Sequence, residues 1–146
     1  MFIDALGLVS GSQAAGQAFG AAAVSTNSVD LGTSIPKREI GTGEPLGFGF
    51  QVSVSGTVAA SLVEVISATD AALTAGIIVH AAITIPLAAA LAGSLWFIPL
   101  PPGTPTQQFL GIRVTTAGGT ISGRSWLTTW SLFSILAKAY AKNYAV

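Results

Sequence analysis

The chain has 146 residues, only 12 of them Asp, Glu, Lys or Arg, six of each sign, and no Cys. A single domain of this length buries about 70% of its unfolded surface without covalent staples, and the lack of Cys excludes disulfides and thiolate metal sites. The balanced charge lacks the clustered Lys/Arg of a nucleic-acid-binding domain. Charged residues make up 8% of the chain, against about 25% in ordinary domains. So uncharged a monomer would self-associate, and an oligomer or a member of a larger assembly is expected.

The first ten residues, MFIDALGLVS, carry Asp4 and no basic region, so they do not read as a secretory signal. Residues 5–24 are rich in Ala, Gly, Ser and Gln without a sustained period, and 1–24 is read as an extended N-terminal arm or a first element. Residues 25–46, STNSVDLGTSIPKREIGTGEPL, hold five of the twelve charges, Asp30, Lys37, Arg38, Glu39 and Glu44. Ser25-Thr26-Asn27 and Asp30-Leu31-Gly32 are turn chemistry, because short polar side chains bond their own backbone. Pro36, Gly41, Gly43 and Pro45 continue the loop.

The clearest strand follows. Leu46, Phe48, Phe50, Val52 and Val54 alternate with Gly47, Gly49, Gln51 and Ser53, bulky inward and small or polar outward. Ser55-Gly56 ends it, and a second strand with less clear parity is expected near 58–66. From 71 to 112 there is no formal charge, a run long enough for a membrane helix of about 20 residues. Its internal pattern is that of a strand over 77–85. Ile77, Val79, Ala81, Ile83 and Ile85 share one parity, and Ile78, His80, Ala82 and Thr84 the other. Pro86, Pro99 and Pro101-Pro102-Gly103 break the run, and 87–95 is too short to span even as a helix.

A short strand over 95–100 ends at the Pro-Pro-Gly turn. A further strand places Leu110, Ile112 and Val114 on one face and Gly111, Arg113 and Thr115 on the other. Gly118-Gly119 is a hairpin signal with a return strand over about 120–130. The tail 131–146 has Leu132, Leu136 and Tyr140 at helical spacing but an extended-looking end. Short strands between Gly/Pro turns predict an all-β fold, a jelly roll or β-sandwich of about eight strands. The expected domain spans 25–146.

Catalytic groups are scarce. The single His, His80, lacks an evident nucleophile and orienting acid and reads as a strand histidine satisfied by backbone or solvent. One His without Cys builds no structural zinc site. Gly41-Thr42-Gly43-Glu44-Pro45-Leu46-Gly47 leads into a strand, whereas a phosphate loop leads into a helix. Asp30, Glu39 and Glu44 could form a glycosidase pair only at a separation the sequence does not define. Neither enzyme activity nor a cofactor or metal is expected. Lys37, Arg38, Glu39 and Glu44 read either as an exposed loop or as an interaction patch that sets register. Trp96-Phe97-Ile98 places bulky residues on both faces of one strand, which calls for burial on both sides or a subunit contact.

The order Asp4…Ser10…Gln13-Ala14, Ser25-Thr26-Asn27-x-x-Asp30-Leu31-Gly32 and Arg38-x-Ile40-Gly41-x-Gly43-Glu44-Pro45-Leu46 resembles the capsid cement proteins of tailed bacteriophages. These are the small jelly-roll type that decorates HK97-like shells. Ile85-Pro86-Leu87, Gly93-Ser94, Leu100-Pro101-Pro102-Gly103 and Tyr140-Ala141-Lys142-Asn143-Tyr144 agree more loosely. The resemblance implies a structural virion protein on the outer capsid surface that clamps neighbouring major capsid subunits against internal DNA pressure. It implies no direct contact with nucleic acid or membrane, and self-association as a homodimer, with a trimer as the other option. Lys37, Arg38, Glu39, Glu44, Trp96 and Phe97 become candidate capsid or subunit contacts. The alternative is a carbohydrate- or receptor-binding β-sandwich on a virion.

Overall fold

The computed structural model describes residues 8–10, 16–20, 22–33, 45–54, 57, 60–102, 106–129 and 133. The described strands are β1 (Leu8–Ser10), β2 (Gln17–Phe19), β3 (Ala22–Val24), β4 (Val29–Asp30) and β5 (Leu46–Val54), then β6 (Ala60–Ala68), β7 (Ile78–Pro86), β8 (Leu95–Leu100), β9 (Phe109–Thr116) and β10 (Ile121–Thr129). They form two antiparallel sheets. In one the order is β1-β10-β5-β8, with β2 also on β10; in the other it is β3-β9-β6-β7, with β4 also on β9. β1 and β2 pair in turn with β10, and β3 and β4 with β9. Each pair acts as one interrupted strand, which reduces the ten to the eight of a jelly roll, passing from sheet to sheet except at the β6–β7 hairpin.

The described residues of 1–24 are thus strands of the sandwich, and one side chain ties them across its corner. Gln17 of β2 donates through Nε2 to the Val24 carbonyl, while its Oε1 accepts from the Thr26 N–H and Oγ1–H. The Asn27 N–H bonds the Val9 carbonyl, so the segment after β3 is anchored to the opposite sheet. The expected turn at Asp30 is present: Asp30 Oδ1 accepts the Gly32 N–H at 2.7 Å. Val29 and Asp30 themselves pair with β9, an edge strand inside what the sequence offered as loop.

The core follows from β5. Phe48, Phe50 and Val52 enter the interior with Val63 and Val65 of β6, Ile85 of β7, Ile98 of β8, Leu110, Ile112 and Val114 of β9, and Ile121 of β10. Burying each large side chain contributes about 1.5–3 kcal/mol. The other face of β5 is not solvated either. Gly47, Gly49 and Gln51 are buried, because Trp126 of β10 and Phe97 of β8 lie over the glycines. A Cβ on Gly49 would meet the Trp126 ring at 2.7 Å, and one on Gly47 would strike the Ile98 carbonyl oxygen of β8 first and then Phe97 Cζ at 2.7 Å.

Three expectations need correction. Gly118 and Gly119 do turn the chain, with φ of 76° and 78°, but no hairpin results: β9 and β10 belong to different sheets. The parity over 77–85 holds only from Ala81 onward. β7 is bulged where Val65 pairs with Ala81 and Ile66 with Val79, so His80 is the extra residue. Val79 therefore shares the outer side with Ile66 and is exposed. The candidate helix over 87–95 is one 3-10 turn, Leu87–Ala89. The unclear parity of β6 has a packing cause. Val63 and Val65 fill the interior, while Ile66 and Ala68 join a second cluster with Leu73 on the outer face.

Gly49→Ala drives a methyl into the Trp126 indole and is expected to destabilise by about 1–3 kcal/mol, the usual range for overpacking. Urea denaturation measures it, and an unchanged midpoint would mean that the indole has room to move aside.

Candidate interaction surfaces

Four regions present chemistry beyond the core. On the outer face of the β1-β10-β5-β8 sheet, Phe97, Gly49 and Trp126 sit side by side across β8, β5 and β10. Phe97 packs on Phe133 with ring centroids 5.2 Å apart. Trp126 is 2% exposed, and its indole N–H is buried without a hydrogen-bond partner. Trp96, the neighbour of Phe97, points the other way, packs against the interior cluster and donates its indole N–H to Ser94 Oγ at 3.3 Å. The adjacent bulky residues of β8 are therefore each half-covered, one on either face of the sheet. Of the expected contact residues, Trp96 is a part of the core wall and Phe97 a part of an outer aromatic layer. Lys37, Arg38, Glu39 and Glu44 lie outside the described residues.

The second region is the loop joining β6 to β7. Asp70 organises it: Oδ1 accepts the N–H groups of Thr74 and Ala75, and Oδ2 accepts the Thr74 hydroxyl. These bonds hold its carboxyl below the usual carboxylate range, the Ala75 N–H being the largest cause. Leu73 takes φ of 57°, an uncommon conformation for a residue with a side chain. The strain is offset by burial: Leu73 is 1% exposed and packs with Ile66, Ala68, Val24 and Phe109. It covers Gly111, whose absent Cβ leaves space for Leu73 Cδ1.

Third, Glu64 and Arg113 form an ion pair on the outer face of the β3-β9-β6-β7 sheet, where β6 and β9 place them opposite each other. Arg113 Nε donates to Glu64 Oε2 at 2.6 Å. The hydrogen bond to Glu64 raises the guanidinium pKa above its ordinary value. Alternation along the strand separates Arg113 from Leu110, Ile112 and Val114, but only strand register joins it to Glu64.

Fourth, the bulged His80 is tied to the loop before β9. Ser67 Oγ lies 2.7 Å from His80 Nε2 and accepts the Gln107 N–H at 2.9 Å. The arrangement suits a neutral imidazole whose Nε2 accepts the Ser67 proton. Burial pushes the imidazole pKa below its ordinary value. Among the described residues, no group of three or more His, Cys, Asp or Glu could hold a metal, and no helix is long and apolar enough to cross a membrane.

Comparison with known families decides the relationship. The model of the Bbp16 family matches residues 13–126. The chain belongs to the Bbp16 family. The match takes in β2 to β9 and most of β10 up to Trp126, so it covers both sheets. No curated protein matches the chain.

A neutral, half-buried His80 gives pH dependence of a definite sign. Its folded pKa lies below the unfolded value near 6.5, so the unfolded chain binds more protons as pH falls through that value. Stability is complete above it and is lost on acidification towards the folded pKa. The melting temperature should fall as the pH drops below about 6.5, and His80→Gln should flatten that slope. Equal slopes in both proteins would contradict the assignment.

Proposed function

We propose that the protein is a capsid decoration protein. It binds the outer surface of an HK97-like phage shell and clamps neighbouring major capsid subunits. The observation that carries this reading is the Bbp16 match over 13–126, a family whose name points to phage, on a chain whose motifs resemble jelly-roll cement proteins. The eight-strand topology is the one that resemblance implies.

The physical properties support the reading. A decoration protein does its work by contact, and this chain keeps little charge outside 25–46. Each clamp is weak, but a shell presents many copies of the same junction, and shell subunits held at several points dissociate only when all contacts open together. The summed contacts would resist outward pressure from packed DNA. In this account the protein is a homodimer on the virion exterior, touches no nucleic acid or membrane, and performs no catalysis. The virion carbohydrate-binding alternative needs an exposed aromatic platform, whereas Trp96 packs inward and Trp126 is buried.

Purified protein mixed with expanded shells that lack it should bind at a fixed ratio to the major capsid protein and raise the temperature at which the shells rupture. Failure to bind any such shell in either expanded or unexpanded form overturns the reading.

A further inference from the structure

The ion pair on the outer face of the β3-β9-β6-β7 sheet is lopsided. Arg113 Nε donates to Glu64 Oε2 at 2.6 Å, and the Nη1 and Nη2 groups make no bond among the described residues. The Arg113 side chain is 30% exposed and that of Glu64 only 11%. The charges cancel, but the hydrogen-bonding capacity does not: a guanidinium has several N–H donors, and Glu64 takes one. Strand register surrounds the pair with uncharged side chains. Leu62 and Thr115 lie opposite each other on β6 and β9, Ala22 of β3 is opposite Thr115, and Ala82 and Thr84 of β7 stand beside Glu64 and Leu62. All of these neighbours are exposed.

We propose that this face docks the shell protein, with the end fork of Arg113, Nη1 and Nη2, taking an Asp or Glu carboxylate of that protein. The proposal rests on the preceding reading for the partner's identity. Covering the face strips water from the guanidinium, and charged N–H groups buried without acceptors are strongly unfavourable. A partner that covers the face must therefore bring acceptors to the fork. A carboxylate fits it best: two oxygens meet two parallel N–H groups, and such charge-assisted bonds are about twice as strong as neutral ones. Glu64 holds the guanidinium by its Nε side, which restrains the fork before the partner arrives. Arg is enriched at the anchoring centres of interfaces, ringed by contacts that exclude water; Leu62, Ala82, Thr84 and Thr115 form such a ring. A nucleic-acid phosphate would fit the same fork, but backbone binding draws on several cations at once. Among the described residues this face has one, since Arg124 lies on β10 in the other sheet.

Affinity of purified variants for expanded shells tests this. Glu64→Gln combined with Arg113→Gln leaves no unpaired charge on the sheet and should stay folded, by circular dichroism. It should bind shells about thirtyfold more weakly or worse, the usual loss when one partner of a covered charge pair is removed. Arg113→Lys keeps the charge without the fork and should also bind more weakly than wild type. Glu64→Gln alone keeps the fork and should bind about as tightly as wild type, which separates the fork from a structural role of the ion pair. In cryo-electron microscopy maps of decorated shells, an Asp or Glu carboxylate should lie within hydrogen-bond distance of Arg113 Nη1 or Nη2. Wild-type affinity in the double variant or in Arg113→Lys overturns the proposal. So does a loss in Glu64→Gln as large as in the double variant, or a map in which Arg113 faces solvent. Each of these leaves the preceding reading intact, whereas a wild-type chain that binds no shell overturns both.

Discussion

The structure depends on what β5 does with its two faces. Phe48, Phe50 and Val52 bring the sheets together from the inside. Gly47 and Gly49 leave room on the outside for the rings of Phe97 and Trp126. A larger residue at either glycine would push an aromatic ring into water or distort β5, the strand that holds β8 and β10 in one sheet. The outer aromatic layer and the inner core are thus two consequences of one alternating strand, and together they fix the registers of β8 and β10.

Charge is the second constraint. Where the described structure keeps charges, it gives them work. Glu64 and Arg113 neutralise each other across β6 and β9, and Asp70 closes the β6–β7 loop and so positions Leu73 over Gly111. Elsewhere polar groups are satisfied locally, as in the Ser67–His80–Gln107 link. Among the described residues, β7 and β8 carry no Asp, Glu, Lys or Arg, and β7 exposes Ile78 and Val79. In a small domain this is surface suited to being covered, and it connects the composition to an assembly role.

Much of the sandwich was legible in the sequence because its strands alternate against small or polar residues. Leu46–Val54 is the best case: the glycines make its period of two unambiguous. Adjacent Trp96 and Phe97 called for cover on both sides of the strand or a subunit contact, and each is half-buried on its own face. The rest depended on long-range pairing. Nothing local distinguishes a Gly118-Gly119 turn that closes a hairpin from one that carries the chain to the other sheet. The bulge at His80 is set by the register with β6, and the partner of Arg113 is 49 residues away. Leu73 looked like any apolar residue of a loop, since only its packing makes a positive φ tolerable. Placement of the candidate contacts comes only from pairing between strands: Trp96 turns toward the core, Phe97 joins an outer aromatic layer, and the charge-free run supplies both buried and exposed residues.

The central claim is that this jelly roll decorates the outside of a phage shell. Cryo-electron microscopy of shells incubated with the protein tests it most directly. The account predicts jelly-roll density on the outer surface at junctions between major capsid subunits. Shells whose exterior stays bare, or on which the density lies inside, would contradict it.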